Sequence, residues 1–83
     1  RWGGEEFIFF FPNMNGEQVC EALNELRSNI DNDPFDWKGE WIPITMTFGV
    51  EENDFRSSID TLLENVDDKL YMGKVQGRDR VIY

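Results

Sequence analysis

The sequence predicts an α/β (α+β) sandwich in which helices cover a sheet, in the order strand, helix, hairpin, helix, strand. Two segments have apolar residues at helical spacing, and the segments around them are either continuously apolar or alternate between apolar and polar. With 40% hydrophobic and 14% aromatic residues, the composition is typical of a globular protein. A length of 83 residues is enough for one domain or part of one.

The first strand and the first helix follow each other directly. Residues 7–11 are apolar on both faces, which predicts an interior strand that ends at Pro12. Residues 13–16 have turn composition. The next segment, residues 19–30, is predicted to be an amphipathic helix from the stripe Val19, Ala22, Leu23, Leu26 and Ile30.

A hairpin is predicted in the middle of the chain. The short segment 35–37 leads into a turn at Lys38 and Gly39. A long strand over residues 42–50 follows, because apolar side chains alternate along it at Ile42, Ile44, Met46, Phe48 and Val50.

A second helix and a last strand complete the order. Ser57 and Asp60 form an S-x-x-D capping pattern at the start of this helix. Its apolar stripe is Ile59, Leu62, Leu63, Val66 and Leu70. Gly77 is placed to end the helix in a left-handed turn, and residues 81–83 are predicted to be a short strand.

Charge and composition exclude several classes of function. The net charge of −9 disfavours nucleic acids and anionic membranes as partners, because phosphate binding needs a basic surface. The longest apolar run, residues 7–11, is too short to cross a bilayer. The chain has no histidine, which excludes Ser-His-Asp and Cys-His catalysis. The single cysteine, Cys20, is expected to be a packed thiol in a reducing, cytoplasmic compartment.

The chain opens with two glycines followed by two glutamates. Gly3 and Gly4 suit a tight turn, which places Glu5 and Glu6 at the start of the predicted strand. Adjacent carboxylates at a strand end could hold a hard divalent cation. Spacing alone favours the alternative, ordinary surface acids at a solvated turn.

A basic cluster lies at the other end of the chain. Lys69, Lys74, Arg78 and Arg80 are half of the eight basic residues. Lys74 and Arg78 are four residues apart, so that both could reach one anion. The alternative, cations that complement the helix dipole, is equally consistent with the cluster taken alone.

Three motifs, in this order and spacing, resemble the GGDEF family of diguanylate cyclases. They read RWGGEEF at the start, ITMTFGV in the middle and VDDKLYMGKVQGRDRV near the end. The first contains the GGEEF variant of the family signature. The chain departs from the family pattern at Trp2, at Thr47 in place of serine, at Gly73 in place of alanine and at Asp79 in place of asparagine.

The resemblance implies an activity and a set of site residues. Two GTP molecules would be condensed to cyclic di-GMP with Mg²⁺, or Mn²⁺, as the cofactor. Glu5 would be the catalytic residue and a metal ligand, and Glu6 would lie beside the metal. The residues implied to bind substrate are Gly3, Gly4, Lys74 and Arg78.

The resemblance also implies that residues 1–83 are the C-terminal portion of a single GGDEF domain, with a partial ferredoxin-like, nucleotidyl-cyclase-like fold in the order β-α-β-β-α-β. An N-terminal strand and helices would precede the chain and carry a further metal-binding aspartate and the residues that read guanine. We therefore expect the isolated chain to be inactive and, with its apolar strand uncovered, to form a homo-oligomer.

Two other readings stay open from the sequence. The chain could belong to a degenerate GGDEF module that binds nucleotide or a protein partner without catalysis. It could also be an acidic α/β domain with a chance motif. A metal-binding aspartate upstream in the parent sequence would favour the cyclase, and its absence would favour the degenerate module.

Overall fold

The computed structural model describes residues 6–32, 35–42 and 44–83, with residues 35–37 described by their backbone alone. The elements, in chain order, are helix α1 (Gly16–Asn32), strands β1 (Phe35–Trp37), β2 (Glu40–Ile42) and β3 (Thr47–Gly49), helix α2 (Ile59–Val75) and strand β4 (Arg80–Ile82). The fold is α+β, as predicted.

Within the described part of the chain, the strands form two separate pairs. β1 and β2 are an antiparallel hairpin, with Asp36 opposite Trp41. The turn between them has Lys38 and Gly39 at φ values of 53° and 83°, as their sequence predicts. β3 and β4 are parallel, with Phe48 opposite Val81. Both helices contact the β3–β4 pair, so this pair is the centre of the fold.

The core is small and lies between α1 and the parallel pair. Its buried members are Val19, Leu23, Phe48 and Val50. Cys20 packs against this cluster, as expected for a packed thiol, and burial raises the pKa of that thiol. The ring of Tyr83 covers Gly16, where a Cβ would overlap it, so the end of the chain closes over the start of α1.

The predicted strand over residues 7–11 is wrong. These residues form no strand, and Phe7, Phe9 and Phe10 are 60%, 61% and 73% exposed. A strand is defined by its hydrogen-bonded neighbour, and no described segment pairs with this one. The observed order therefore begins with α1, and the predicted order β-α-β-β-α-β is not reproduced.

The single long strand predicted over residues 42–50 is also wrong. β2 ends at Ile42 and β3 begins at Thr47. Residues 44–46 lie between them and form no strand. Ile42 and Ile44 are 38% and 43% exposed, whereas Phe48 and Val50 are buried.

Side-chain caps fix the starts of both helices. At α1, Asn15 N donates to Gln18 Oε1 and Gln18 N donates to Asn15 Oδ1, both at 2.9 Å. This reciprocal cap starts the helix three residues before the predicted Val19. At α2 the cap is Ser58, which accepts from Thr61 N at 3.2 Å, one residue later than the predicted pattern.

Candidate functional site

The first and third motifs meet at an ion pair. Lys74 Nζ lies 2.7 Å from Glu6 Oε2, although the two residues are 68 positions apart in sequence. Lys74 is in the last turn of α2, and Glu6 belongs to the segment that precedes α1. The side chains are 29% exposed for Glu6 and 32% for Lys74, so the pair is partly shielded from water.

The turn after α2 presents Arg78, four residues after Lys74. Gly77 has φ 117°, the left-handed conformation predicted for it. Arg78 N donates to Gly73 O at 2.9 Å and Gly77 N donates to Lys74 O at 3.4 Å, which is the Schellman arrangement. The turn therefore has a defined geometry that is independent of the side chain of Arg78.

Glu6, Lys74 and Arg78 line one open cleft of about 1090 Å³. Its other walls come from the segment before α1 and from β3, including Ile8, Phe9, Phe48 and Val50. A mostly apolar cleft with a few charged groups at one end is the usual form of a small-molecule site. Its charged lining residues are the two cations Lys74 and Arg78 and the three carboxylates Glu6, Glu51 and Glu52.

The structure divides the predicted basic cluster into two kinds of residue. Lys69 donates to Val50 O at 3.1 Å and to Glu51 Oε2 at 3.0 Å, which is a structural role. Arg80 folds back on the turn, with Nε 2.9 Å from Arg78 O. Lys74 and Arg78 remain at the cleft, and among the described residues none forms an ion pair with Arg78.

Sequence reasoning missed one residue beside this site. Arg27 of α1 reaches Asp79 Oδ1 at 3.2 Å and Asp31 Oδ2 at 3.3 Å. Desolvation raises the pKa of Asp31, and the neighbouring Asp79 raises that pKa further. The one signal in the sequence was Asp79 itself, an unexpected carboxylate next to Arg78.

The remaining predicted site residues, Gly3, Gly4 and Glu5, lie outside the described residues. In the described part of the chain, no three side chains of histidine, cysteine, aspartate or glutamate are grouped to hold a metal ion. Three described carboxylates line the cleft, and two of them form ion pairs, Glu6 with Lys74 and Glu51 with Lys69.

Comparison with known proteins gives a consistent result. The family model described as "Diguanylate cyclase, GGDEF domain" matches residues 1–80. The chain is 36% identical to diguanylate cyclase DgcP of Pseudomonas aeruginosa over 98% of its length, and 32% identical to diguanylate cyclase DgcZ of Escherichia coli over 100%. It is 30% identical to diguanylate cyclase A of Treponema denticola over 98% of its length.

The chain spans only 12%, 28% and 22% of the lengths of these three relatives, respectively. No solved structure matches the chain significantly. Neither α1 nor α2 is long and apolar enough to cross a membrane.

Proposed function

Because the chain belongs to the GGDEF domain family, we propose that it supplies part of the active site of a diguanylate cyclase, which condenses two GTP molecules into cyclic di-GMP. The curated relatives above have that activity in their names. One observation supports the proposal more than any other: Glu6 of the first motif meets Lys74 of the third at 2.7 Å, in a cleft that Arg78 also lines.

Lys74 and Arg78 bind the terminal phosphates of GTP in this proposal. The planar guanidinium of Arg78 suits two phosphate oxygens at once, and the ammonium of Lys74 supplies a compact charge. A partly exposed ion pair such as Glu6–Lys74 contributes only about 0–1 kcal/mol. A triphosphate with several negative charges can therefore displace Glu6 from Lys74 at little cost.

Glu5 and Glu6 hold Mg²⁺, or Mn²⁺, in the proposed enzyme. The freed carboxylate of Glu6 offers the oxygen ligands that hard cations prefer, and Glu5 is placed next to it by sequence. The bound ion would neutralise charge on the phosphate oxygens. Glu5 would in addition activate the attacking 3′-hydroxyl, and Gly3 and Gly4 would let the backbone approach the nucleotide without a Cβ.

Two copies of the chain are needed for the proposed reaction, because each copy holds one GTP and the two sites must face each other. The segment before α1 offers a surface for such an assembly. Phe7, Phe9 and Phe10 are all more than half exposed, and the rings of Phe7 and Phe9 stack with centroids 6.5 Å apart. Exposed apolar patches of this kind normally find a partner, and we propose a second copy as that partner.

Binding without turnover is the second candidate for the chain alone. Lys74 and Arg78 offer two cations to an anion, whereas the chain spans only part of the length of the relatives that have the cyclase activity in their names. We therefore propose that the isolated chain binds GTP and makes no cyclic di-GMP. Chromatography of the nucleotides after incubation with GTP and magnesium checks this, and a cyclic di-GMP peak would contradict it.

Titration of GTP into the chain by calorimetry tests the binding proposal. We expect Lys74→Ala to weaken binding about tenfold, because a charge-assisted contact to phosphate is lost. Arg56→Ala is the matched control: it also removes one positive charge, but Arg56 is exposed in the loop before α2 and does not line the cleft. The affinity of the Arg56→Ala variant for GTP should stay within about twofold of the wild-type value.

Equal losses in the two variants would show that GTP responds to the overall charge of the chain. That result would contradict a defined phosphate site at Lys74.

A further inference from the structure

The turn after α2 has an unusual backbone at three consecutive residues. Gly77, Arg78 and Asp79 have φ values of 117°, 63° and 50°. Left-handed φ values are uncommon for residues other than glycine, and two in succession persist only where surrounding contacts hold them. The conformation of this turn therefore depends on its contacts, and it decides where the side chain of Arg78 is presented.

Contacts from two other elements hold Asp79. Its backbone N donates to Thr47 Oγ1 of β3 at 2.9 Å. Its carboxylate accepts from Arg27 Nη1 of α1 at 3.2 Å, across 52 positions of sequence. Both side chains of the ion pair are partly shielded, at 25% exposure for Arg27 and 34% for Asp79. Arg27 thereby ties α1 to the turn that presents Arg78.

The negative charge of Asp79 is unfavourable for phosphate binding at Arg78, and the positive charge of Arg27 opposes this effect. A carboxylate one residue from Arg78 repels any phosphate that approaches Arg78. The guanidinium of Arg27, at 3.2 Å, supplies the opposite charge. Asp31 shares the same guanidinium at 3.3 Å but lies on α1 rather than in the turn.

We propose that Arg27 is a positioning residue of the phosphate site, which holds the 77–79 turn through Asp79 and offsets part of the negative charge of Asp79 beside Arg78. The inference rests on the proposed function, because it requires Lys74 and Arg78 to bind phosphate. Arg27 itself does not line the cleft.

Inorganic tripolyphosphate is the probe, since it contains the phosphates of GTP without guanine or ribose. Calorimetric titration at low ionic strength should show that Arg27→Gln binds it about tenfold more weakly than the wild-type chain, because the carboxylate of Asp79 is left uncompensated. Adding Asp79→Asn to Arg27→Gln should restore the affinity to within about threefold of wild type.

The matched control is Arg27→Gln combined with Asp31→Asn. It has the same net charge as the rescued variant, but it leaves the carboxylate of Asp79 beside Arg78. We expect this control to bind tripolyphosphate about tenfold more weakly than the wild-type chain. The comparison separates the effect of the position of the charge from that of the total charge. Arg27→Lys keeps the charge, should fold, and should bind within about threefold of wild type.

Three results would overturn the inference alone: unchanged affinity in Arg27→Gln, equal rescue by Asp31→Asn and Asp79→Asn, or a tenfold loss in a folded Arg27→Lys chain. If Arg27→Gln fails to fold by circular dichroism, the affinity of Arg27→Lys decides. Failure of the proposed function looks different. In that case the wild-type chain does not bind tripolyphosphate, or Lys74→Ala binds it as tightly as wild type. Either result would also remove the basis for the role of Arg27.

Discussion

Asp54 organises the loop before α2 through its ionised carboxylate. Oδ1 accepts from Ser57 N at 2.8 Å and from Arg56 N at 2.9 Å, and Oδ2 accepts from Ser57 Oγ at 2.9 Å. These bonds, with that from Ser57 N the largest cause, lower the pKa of Asp54 below its ordinary value of 3.8. A carboxyl group that binds protons less tightly in the folded state stabilises that state when it is ionised.

The stabilisation from Asp54 is thus fully present above the ordinary pKa of 3.8 and is lost as the pH falls through the lower pKa of the folded state. We expect Asp54→Asn, which keeps an acceptor oxygen but no charge, to be less stable than wild type at pH 7. The difference should shrink as the pH falls below 3.8. Urea unfolding of both chains from pH 7 to below pH 3.8 measures this difference in the free energy of unfolding. A difference independent of pH would disprove the stabilising role of the ionised Asp54.

Charged residues at the cleft were predictable from sequence only where a motif marked them. Lys74 and Arg78 were expected to converge on one anion, and both line the cleft. The ion pair of Lys74 with Glu6 was not predicted, because it joins residues 68 positions apart. Arg27 was missed for the same reason. No local pattern distinguishes it from any other arginine on an exposed helix face.

At the scale of elements, α2 packs closely on β3 through two glycines. A Cβ at Gly49 would lie 2.6 Å from Val66 O, and a Cβ at Gly73 would lie 2.8 Å from Thr47 Cγ2. Gly73 stands where the family pattern has alanine, and Thr47 stands where it has serine. The two departures compensate each other, since the methyl group added at Thr47 occupies the space freed at Gly73.

We expect Gly73→Ala alone to be destabilised by about 1–2 kcal/mol, because the overlap with Thr47 outweighs the gain in helix propensity. Adding Thr47→Ser should remove the overlap and restore wild-type stability or exceed it by about 0.5–1 kcal/mol. Serine keeps the hydroxyl that accepts from Asp79 N. Denaturant unfolding of the wild-type chain, the two single variants and the double variant gives the free energies of unfolding for a double-mutant cycle.

Thr47→Ser alone is the control, since it removes a methyl without creating an overlap. Additive effects in the cycle would rule out compensation between the two positions.

The elements show why helices were predicted better than strands. α1 and α2 have their apolar residues at helical spacing, a property of each segment by itself, and both were predicted in place. Residues 7–11 are as apolar as any buried strand, but pairing depends on a neighbour that the segment does not encode. The reciprocal cap of Asn15 and Gln18 was readable in the sequence and would have placed the start of α1 correctly.

At the scale of the whole molecule, apolar surface is the dominant feature. Phe55 is 90% exposed and Phe10 is 73% exposed, while the buried core has four side chains among the described residues. A chain of this size buries only part of its apolar surface by folding, and association would bury more of it. The proposed two-fold dimer would bury the segment before α1.

Sedimentation equilibrium at micromolar concentration measures the assembly. We expect twice the mass of the monomer, and we expect Phe10→Ser to shift the equilibrium toward monomer because it makes the exposed surface more polar. Tyr71→Ser is the control, since Tyr71 is 71% exposed on α2 and outside the cleft. A clean monomer at every concentration would contradict the dimer.

In the proposed function, the phosphates of the nucleotide bind where Glu6 meets the end of α2. Nuclear magnetic resonance of the ¹⁵N-labelled chain during a GTP titration tests it most directly, because each backbone amide reports its own surroundings. We expect the amide resonances of Glu6, Lys74 and Arg78 to shift with GTP and not with guanosine, while those of the β1–β2 hairpin do not shift. Shifts confined to the hairpin, or equal shifts with guanosine, would contradict it.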